Sequence, residues 1–266
     1  MSERPVLDAV LLDAGGTIGR LDFEWIAEAV TAHGIPVDAR TLRLAEVEGR
    51  RRYDASARAH VAAEGEPAPG EESPPLGGAG NVHAYFGGML EAAGVPAARL
   101  GEVIDVLLDR QGRPGRSGVG LWARPMEGAR EALAGLAALG LRRAVVSNSD
   151  GRAAEHIASW GLLDGLEFVV DSHVVGIEKP DPRIFEVALE RMGVAPERAL
   201  YVGDIRCVDE VGARRAGMHF VLIDPTRGAY AAPNSPWIAE IAALPEWIRS
   251  RFTCPHEAAR SPRGPR

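Results

Sequence analysis

The sequence predicts an α/β fold with a parallel sheet, interrupted by a separate helical module. The first sign is a short apolar run over residues 6–12, which ends at Asp13 and is typical of a strand buried on both faces of a sheet. The second is an alternation of strand-like and helix-like segments from Trp122 onward, the pattern of parallel βαβ units. The third is that residues 20 to about 120 carry only helical patterns.

The first predicted strand is followed by a glycine-rich turn over residues 14–17. A carboxylate at the carboxyl end of a buried strand lies where open α/β sheets bind their ligands. The two glycines of the turn let the backbone approach a ligand closely. Asp13 is therefore a candidate nucleophile or metal ligand, and the alternative is an aspartate that simply caps a turn.

The helical module is predicted to contain four helices. Asp22 is placed to cap the first helix, which ends at Gly34. The other three helices are predicted over residues 41–65, 81–94 and 99–112. The stretch over 65–80 is rich in proline and glycine and has no periodicity, so we expect a mobile loop there.

The remaining part of the chain alternates between the two kinds of element. Strand 219–224 is predicted to be the last of the sheet, and residues 253–266 are predicted to form a disordered tail. The predicted strands and helices after the module cover 125–140 (helix), 141–148 (strand), 151–161 (helix), 166–171 (strand), 182–193 (helix), 199–204 (strand), 208–217 (helix) and 219–224 (strand).

Size and composition exclude several classes of protein. A chain of 266 residues can bury a full α/β core and one smaller module. The net charge of -7 argues against a general nucleic-acid binder, and no apolar run approaches the ~20 residues of a membrane span. The N-terminus lacks a signal-peptide pattern, and Cys207 and Cys254 suggest neither a disulfide framework nor a zinc site. We therefore expect a cytoplasmic protein without nucleic-acid or membrane partners.

Lysine usage is unusual. Lys179 is the only lysine, and 29 of the 30 basic residues are arginine. A compact ammonium is not replaced by a planar guanidinium, so a lysine that persists in such a composition indicates a specific need for it. The alternative is an accident of composition.

Several polar residues fall at the ends of the predicted strands. Asp13, Ser147 and Asp204 each end a strand, while Lys179 precedes one helix and Asp209 begins another. Because the carboxyl ends of parallel strands share one edge of a sheet, we expect these side chains to form one site. Taken singly, each has an ordinary structural interpretation as a helix cap or turn residue.

Four segments in this order resemble the four motifs of the haloacid dehalogenase-like (HAD) superfamily. They are D-A-G-G-T-I, V-V-S-N, E-K-P-D-P-R-I-F and V-G-D-I-R-C-V-D, motifs I to IV. The resemblance covers residues 5–20 and about 120–225. It implies a doubly wound parallel (Rossmann-like) core formed by 1–19 and 120–252. It also implies that the module at 20–119 is a helical cap of the C1 subclass.

The resemblance implies a magnesium-dependent phosphatase that acts on a small phosphorylated metabolite. Asp13 would attack phosphorus and form an aspartyl-phosphate. A hard cation is needed to hold carboxylates near a dianionic phosphate, and Mg²⁺ prefers oxygen ligands. The implied ligands are Asp13, Asp204, Asp209 and the carbonyl oxygen of Gly15. Asp209 would alternatively orient a metal-bound water or Lys179.

The resemblance also assigns the groups that would meet the phosphoryl oxygens. The implied catalytic residues are Asp13, Lys179 and Ser147. Positive charge from the ammonium and hydrogen bonds from hydroxyl and backbone N–H groups suit this task. The implied phosphate-binding residues are Ser147, Asn148, Lys179, Gly16 and Thr17.

Gly15 departs from the family pattern. Active HAD phosphatases usually carry at this position a second aspartate, which protonates the leaving group, although the backbone carbonyl remains for a metal. Three interpretations stay open. The chain is a phosphatase with another acid or an undemanding substrate, a metal-independent dehalogenase-like hydrolase, or a catalytically impaired HAD-fold protein used for binding or regulation. Substrate identity and oligomeric state cannot be read from the sequence.

Overall fold

The computed structural model describes residues 4–64, 78–111 and 120–258. The chain divides into two compact units, one formed by Met1–Arg20 and Pro125–Arg266 and the other by Leu21–Arg124. The predicted loop at 65–80 lies outside the described residues except for 78–80, which are helical. The prediction was wrong for these three residues, because the helix begins one turn before its apolar periodicity. Gly78 and Gly80 lie in this first turn, where each destabilises the helix by about 1 kcal/mol relative to alanine.

The larger unit contains a six-stranded parallel sheet. The described residues form eight strands, which are β1 (Ala9–Leu12), β2 (Gly19–Arg20), β3 (Arg124–Pro125), β4 (Arg142–Ser147), β5 (Val169–Asp171), β6 (Ala199–Gly203), β7 (His219–Ile223) and β8 (Trp237–Ile238). Six of them make up this sheet, and the other two, β2 and β3, make up a separate two-stranded sheet. The spatial order in the sheet is β5-β4-β1-β6-β7-β8, and every neighbouring pair is parallel. The chain winds outward from β1 in both directions, which confirms the predicted doubly wound α/β fold.

The helices follow the predicted alternation. They are α1 (Phe23–Ala32), α2 (Ala39–Glu64), α3 (Gly78–Ala92), α4 (Leu100–Gln111), α5 (Ala129–Ala138), α6 (Ala153–Ser159), α7 (Ser172–Val175), α8 (Pro182–Met192), α9 (Val211–Arg215), α10 (Leu244–Arg251) and α11 (Pro255–Ala258). The predicted helix at 208–217 begins as a π-helical turn over Arg206–Glu210 before α9. Helix α7 and the C-terminal helices were not predicted.

Local sequence explains why α8 begins and ends where it does. Asp181 accepts a hydrogen bond from the N–H of Arg183 (3.0 Å), and Pro182 occupies the first turn. Gly193 ends the helix in the left-handed conformation (φ 62°). One face of the helix is buried on the sheet. Because Asp181 fixes the start of α8, it also fixes the loop that carries Lys179.

The smaller unit is built from α1–α4. As predicted, Asp22 caps α1, accepting a hydrogen bond from the N–H of Trp25 (3.4 Å). Helices α2 and α3 pack closely at Gly49 and Gly88, where an added Cβ would overlap backbone carbonyl groups of the facing helix. Inside this pair, the hydroxyl of Tyr85 donates to the buried carboxylate of Glu46 (2.6 Å). Among the described residues, no helix is both long and apolar enough to cross a membrane.

Two predictions about the C-terminal part were wrong. β7 is not the last strand, because β8 pairs with it; a two-residue strand carries no periodicity that a sequence pattern can reveal. Residues 253–258 of the predicted tail are ordered. The N–H of Thr253 donates to the carbonyl of Pro5 (2.9 Å), its carbonyl accepts from Leu7 (3.0 Å), and Cys254 is fully buried. Residues 259–266 lie outside the described part of the chain.

Candidate active site

Asp13 lies directly after the central strand. Its N–H donates to the carbonyl of Val202 on β6 (2.8 Å), so the strand ladder fixes its backbone. The turn that follows is closed by hydrogen bonds from Ile18 (3.0 Å) and Gly19 (2.8 Å) to the carbonyl of Ala14. The Asp13 side chain is buried, at the edge of the sheet where the carboxyl ends of β1, β4 and β6 meet.

Lys179 is buried beside Asp13 and is fully engaged in hydrogen bonds. Its ammonium donates to Asp13 Oδ1 (2.7 Å), Asp209 Oδ1 (2.8 Å) and the hydroxyl of Tyr201 (2.9 Å). We call these four residues the Lys179 cluster. A lysine ammonium has three N–H donors, and all three are used within the protein. A direct contact between Lys179 and a phosphoryl oxygen would therefore require one of these bonds to be released.

The cluster shifts the protonation of its members. Burial raises the pKa of Asp13 to about 6, although the nearby Lys179 charge opposes this shift and the Asp209 carboxylate adds to it. Burial by itself would lower the pKa of Lys179, but the carboxylates of Asp13 and Asp209 outweigh it, so that pKa is raised. The lysine therefore stays charged at neutral pH, where Asp13 is largely ionised.

Asp209 uses both of its carboxylate oxygens inside the protein. Oδ1 accepts from Lys179, while Oδ2 accepts from the N–H groups of Asp204 (3.0 Å) and Ile205 (2.9 Å). Gly203 is required beside it, since an added Cβ would overlap the carboxyl group of Asp209. Through these contacts Asp209 holds the backbone that carries Asp204 and also orients Lys179.

Three carboxylates form a compact acidic group. Oxygen atoms of Asp13, Asp204 and Asp209 lie within 4.8 Å of one another, and all three residues are buried. Gly16 (φ 75°) lies against Asp204, and a Cβ there would overlap the carboxylate. Carboxylate oxygens are the ligands that hard divalent cations prefer, so this donor set fits Mg²⁺. The backbone of Gly15, in the same turn, forms a bridge with Gly19.

The predicted phosphate-binding residues differ in their surroundings. Ser147 is buried at the end of β4, next in sequence to Asn148. The Asn148 amide is bonded to the backbone of Lys179: Nδ2 donates to its carbonyl (3.0 Å) and Oδ1 accepts from its N–H (2.8 Å). The side chain of Asn148 therefore holds the Lys179 loop. Thr17 is fully buried, and its hydroxyl has no hydrogen-bond partner within the described part of the chain.

Tyr201 was not predicted from the sequence. It belongs to the fully buried strand β6, and its hydroxyl donates to the carbonyl of Val146 (2.8 Å) while accepting from Lys179. The signal was present, because a tyrosine in a strand buried on both faces must find a partner for its hydroxyl. Tyr201 was missed because the other residues of the strand are apolar, so the whole segment was interpreted as core.

Comparison with known proteins identifies the family. The sequence model of the haloacid dehalogenase-like hydrolases matches residues 7–217, which contain the whole Lys179 cluster. The chain belongs to this hydrolase family. The predicted membership in the HAD superfamily is therefore confirmed, and Gly15 is a departure within a genuine HAD sequence.

This HAD hydrolase is similar in sequence to two curated relatives over part of its length. It is 44% identical over 98 residues to haloacid dehalogenase-like hydrolase domain-containing protein 3 of Mus musculus, covering 37% of this chain and 39% of that protein. It is 39% identical over 102 residues to glyceraldehyde 3-phosphate phosphatase of Methanothermobacter thermautotrophicus, covering 38% of this chain and 45% of that one. The chain thus matches less than half the length of these curated relatives.

The solved structure extends the likeness along the chain. A crystallised dehalogenase in an intermediate complex is similar over 90% of this chain and 96% of its own, with a TM-score of 0.56. The sequence identity is 21%, so this likeness shows the fold alone.

Proposed function

We propose that this HAD hydrolase is a magnesium-dependent phosphatase acting on a small phosphorylated metabolite through an aspartyl-phosphate intermediate. The observation that carries the proposal is the Lys179 cluster itself. It holds a buried, largely ionised carboxylate, Asp13, beside a cation and inside a group of three carboxylates. Phosphoryl transfer depends on such positioning and charge neutralisation more than on other chemistry.

Each residue of the site has a task in this reaction. A carboxylate oxygen of Asp13 attacks phosphorus as the bond to the leaving oxygen breaks, and water then attacks the phosphorus of the aspartyl-phosphate, releasing phosphate and free Asp13. Lys179 fixes Asp13 and offsets its charge, and Asp209 holds the motif IV loop. Ser147 is proposed to bind the phosphoryl oxygens. The N–H groups of Gly16 and Thr17 donate to the carbonyls of Gly19 (2.7 Å) and Ala14 (3.4 Å) within the turn, so they would bind phosphate only after these bonds are released.

The metal proposal rests on the donor set. The carboxylates of Asp13 and Asp204 and the carbonyl of Gly15 would hold Mg²⁺, with Asp209 either completing the set or orienting its neighbours. When bound, the cation supplies charge neutralisation between carboxylates and phosphate. The helical unit, Leu21–Arg124, is proposed to be a C1 cap that selects the substrate, and the cytoplasmic setting remains a prediction from composition.

Gly15 sets the expected substrate class. General acid catalysis contributes about 10²–10⁴-fold and matters most for poor leaving groups. Without an acid two residues after Asp13, we propose a preference for phosphates whose leaving groups need little protonation, such as aryl phosphates, acyl phosphates or anhydrides. The same residue favours the second candidate, a catalytically impaired binding or regulatory protein. A metal-independent dehalogenase is less well supported, because its reaction would not require the group of three carboxylates formed by Asp13, Asp204 and Asp209.

A phosphate-release screen separates these functions. The purified protein is incubated with alkyl, aryl and acyl phosphates and anhydrides, once with Mg²⁺ and once with a chelator, and Asp13→Asn serves as the control. We expect release that requires Mg²⁺ and Asp13 and is fastest with aryl or acyl phosphates. Chloride release from 2-chloropropionate with chelator present would support the dehalogenase instead. No turnover of any compound would support the binding protein.

A further inference from the structure

We infer that Tyr201 is a positioning residue for Lys179: its hydroxyl supplies the third acceptor that holds the ammonium between Asp13 and Asp209. The kinetic part of this inference rests on the proposed phosphatase function. The structural part, that this hydroxyl fixes the only lysine of the chain, does not depend on it.

The acceptors around Lys179 account for all of its donors. Two are carboxylate oxygens, of Asp13 (2.7 Å) and Asp209 (2.8 Å), and the third is the neutral hydroxyl of Tyr201 (2.9 Å). Lys179 is 2% exposed, so water is not at hand to replace a lost acceptor. A buried donor left without a partner is costly. Removing the hydroxyl would therefore make the ammonium rotate towards another acceptor and move away from its place beside Asp13.

The hydroxyl is itself oriented by the sheet. A tyrosine hydroxyl has one donor, and here the donor is directed to the carbonyl of Val146 (2.8 Å), which leaves a lone pair for Lys179. Val146 lies on β4 and Tyr201 on β6, with β1 between them. One hydroxyl thus links the strand that ends at Ser147, the lysine loop and the strand that precedes Asp204.

The ring of Tyr201 is also held in place. Phe185, on α8, packs edge-on against it with a centroid separation of 4.9 Å. Because α8 begins three residues after Lys179, the same helix positions the lysine loop and the tyrosine ring. Tyr201 is fully buried, and its hydroxyl is bonded to Val146 and Lys179, which are buried as well. Tyr201 should therefore affect the chemical step through Lys179 and leave substrate affinity nearly unchanged.

Two variants separate the hydroxyl from the packing around it. Tyr201→Phe removes the hydroxyl alone, and Phe185→Leu removes the packing ring but keeps the hydroxyl. Hydrolysis of p-nitrophenyl phosphate is measured with Mg²⁺. We expect Tyr201→Phe to lower kcat about 10- to 100-fold with KM within about threefold of wild type. Phe185→Leu, which keeps the hydroxyl, should lower kcat less than Tyr201→Phe does.

The kinetic outcomes are decisive in either direction. A kcat of Tyr201→Phe close to wild type would overturn the inference. A fall in Phe185→Leu at least as large as that in Tyr201→Phe would also overturn it, since packing rather than the hydroxyl would then explain the effect. A large rise in KM with unchanged kcat would assign Tyr201 to substrate binding and overturn it as well.

A second measurement needs no turnover. Because Lys179 is the only lysine, protein labelled with [¹⁵N]lysine gives one ammonium signal by NMR. We expect its protons to exchange with water at least tenfold faster in Tyr201→Phe, and unchanged exchange would overturn the inference. If the variant does not fold, a nuclear Overhauser contact between this ammonium and the Tyr201 side chain in wild type supports the inference, and its absence overturns it. A wild type that hydrolyses nothing would refute only the phosphatase.

Discussion

At the scale of single residues, the site is a balance of buried charges. Burial raises the pKa of Asp13, and a reactive carboxylate is available at neutral pH because Lys179 lies within 2.7 Å of it. The lysine in turn stays charged because Asp13 and Asp209 surround it. Each ion is tolerated in the interior only because its partner is present. We therefore expect substitutions in this site to change catalytic activity and the free energy of unfolding to different extents.

Asp13→Asn should lower phosphate release by at least about 10³-fold, because the amide cannot act as the nucleophile. The fold should survive, since the amide oxygen can still accept a hydrogen bond from Lys179 and the cost of ionising a buried carboxyl disappears. Turnover with Mg²⁺ and thermal unfolding are measured side by side. Phosphate release at the wild-type rate would exclude Asp13 as the nucleophile.

Lys179→Arg should lose about 10²-fold in kcat although the charge is kept. A planar guanidinium cannot direct three N–H groups to Asp13, Asp209 and Tyr201 at the positions used by a compact ammonium. The control is Arg191→Lys on α8, an exposed cation outside the site. If Lys179→Arg turned over like wild type, the solitary lysine would be an accident of composition.

Gly15→Asp should raise turnover of alkyl phosphates more than that of aryl phosphates, because the new carboxyl can protonate a poor leaving group. Gly15 is not among the residues with positive φ, so its backbone angle does not oppose a side chain. Gly16→Asp is the matched control. With φ 75° and the Asp204 carboxylate against it, we expect that variant to lose activity on every substrate. An unaltered leaving-group dependence in Gly15→Asp would show that another group supplies the acid.

At the scale of elements, the sequence predicted what periodicity and capping encode. The strands around Asp13 and the helix that begins at Pro182 were predicted because buried runs and Asp-Pro caps are local signals. Asp204 was singled out because strand ends share an edge, and Lys179 because it is the only lysine and precedes a helix. The bonding of Asn148 to the lysine backbone and of Tyr201 to Lys179 was not predicted, since each joins segments distant in sequence.

The loop after β7 depends on a residue that the sequence did not single out. Asp224 is fully buried, and its carboxylate accepts hydrogen bonds from the backbone N–H groups of Thr226 (2.9 Å), Gly228 (3.1 Å), Tyr230 (3.0 Å) and Ala231 (3.0 Å). Burial by itself would raise its pKa, but the hydrogen bonds from Thr226, Tyr230 and Ala231 outweigh it, so the pKa is lowered. The loop is thus held by an ionised carboxyl group.

Asp224→Asn should lower the free energy of unfolding at pH 7 by about 1.5–3 kcal/mol, the usual value for hydrogen bonds to a charged group. A lowered pKa stabilises the fold above the unfolded-state pKa, about 3.9, and this contribution is lost as pH falls through the folded pKa. The difference between variant and wild type should therefore be constant from pH 7 to 5 and shrink below about pH 4. Urea unfolding at these pH values measures it. A difference that did not depend on pH would show that the charge plays no part. Thr226→Val removes the hydroxyl that donates to the same carboxylate, so it should give a smaller difference with the same pH dependence.

At the scale of the whole chain, segments far apart in sequence meet at the start of the central strand. The backbone of Thr253 pairs with Pro5 and Leu7 just before β1, and the buried Cys254 follows it. Composition suggested a tail here because the segment has no periodicity. Its order comes from pairing with residues some 250 positions away, which no local pattern can encode. The strand that ends at Asp13 is thus supported by the C-terminal segment.

Thr253→Pro tests this support. The substitution removes the N–H that donates to Pro5, and the preceding residue, Phe252 (φ -124°, ψ 157°), already has the extended conformation that a following proline requires. We expect the free energy of unfolding to fall by about 1–3 kcal/mol. Turnover under folded conditions should stay near wild type, because the Asp13 N–H still donates to Val202. Thr253→Ala keeps the backbone donor and serves as the control in urea unfolding. Equal stability of the two variants would show that the pairing contributes nothing, whereas a loss of kcat in Thr253→Pro alone would show that the C-terminal segment also sets the position of the nucleophile.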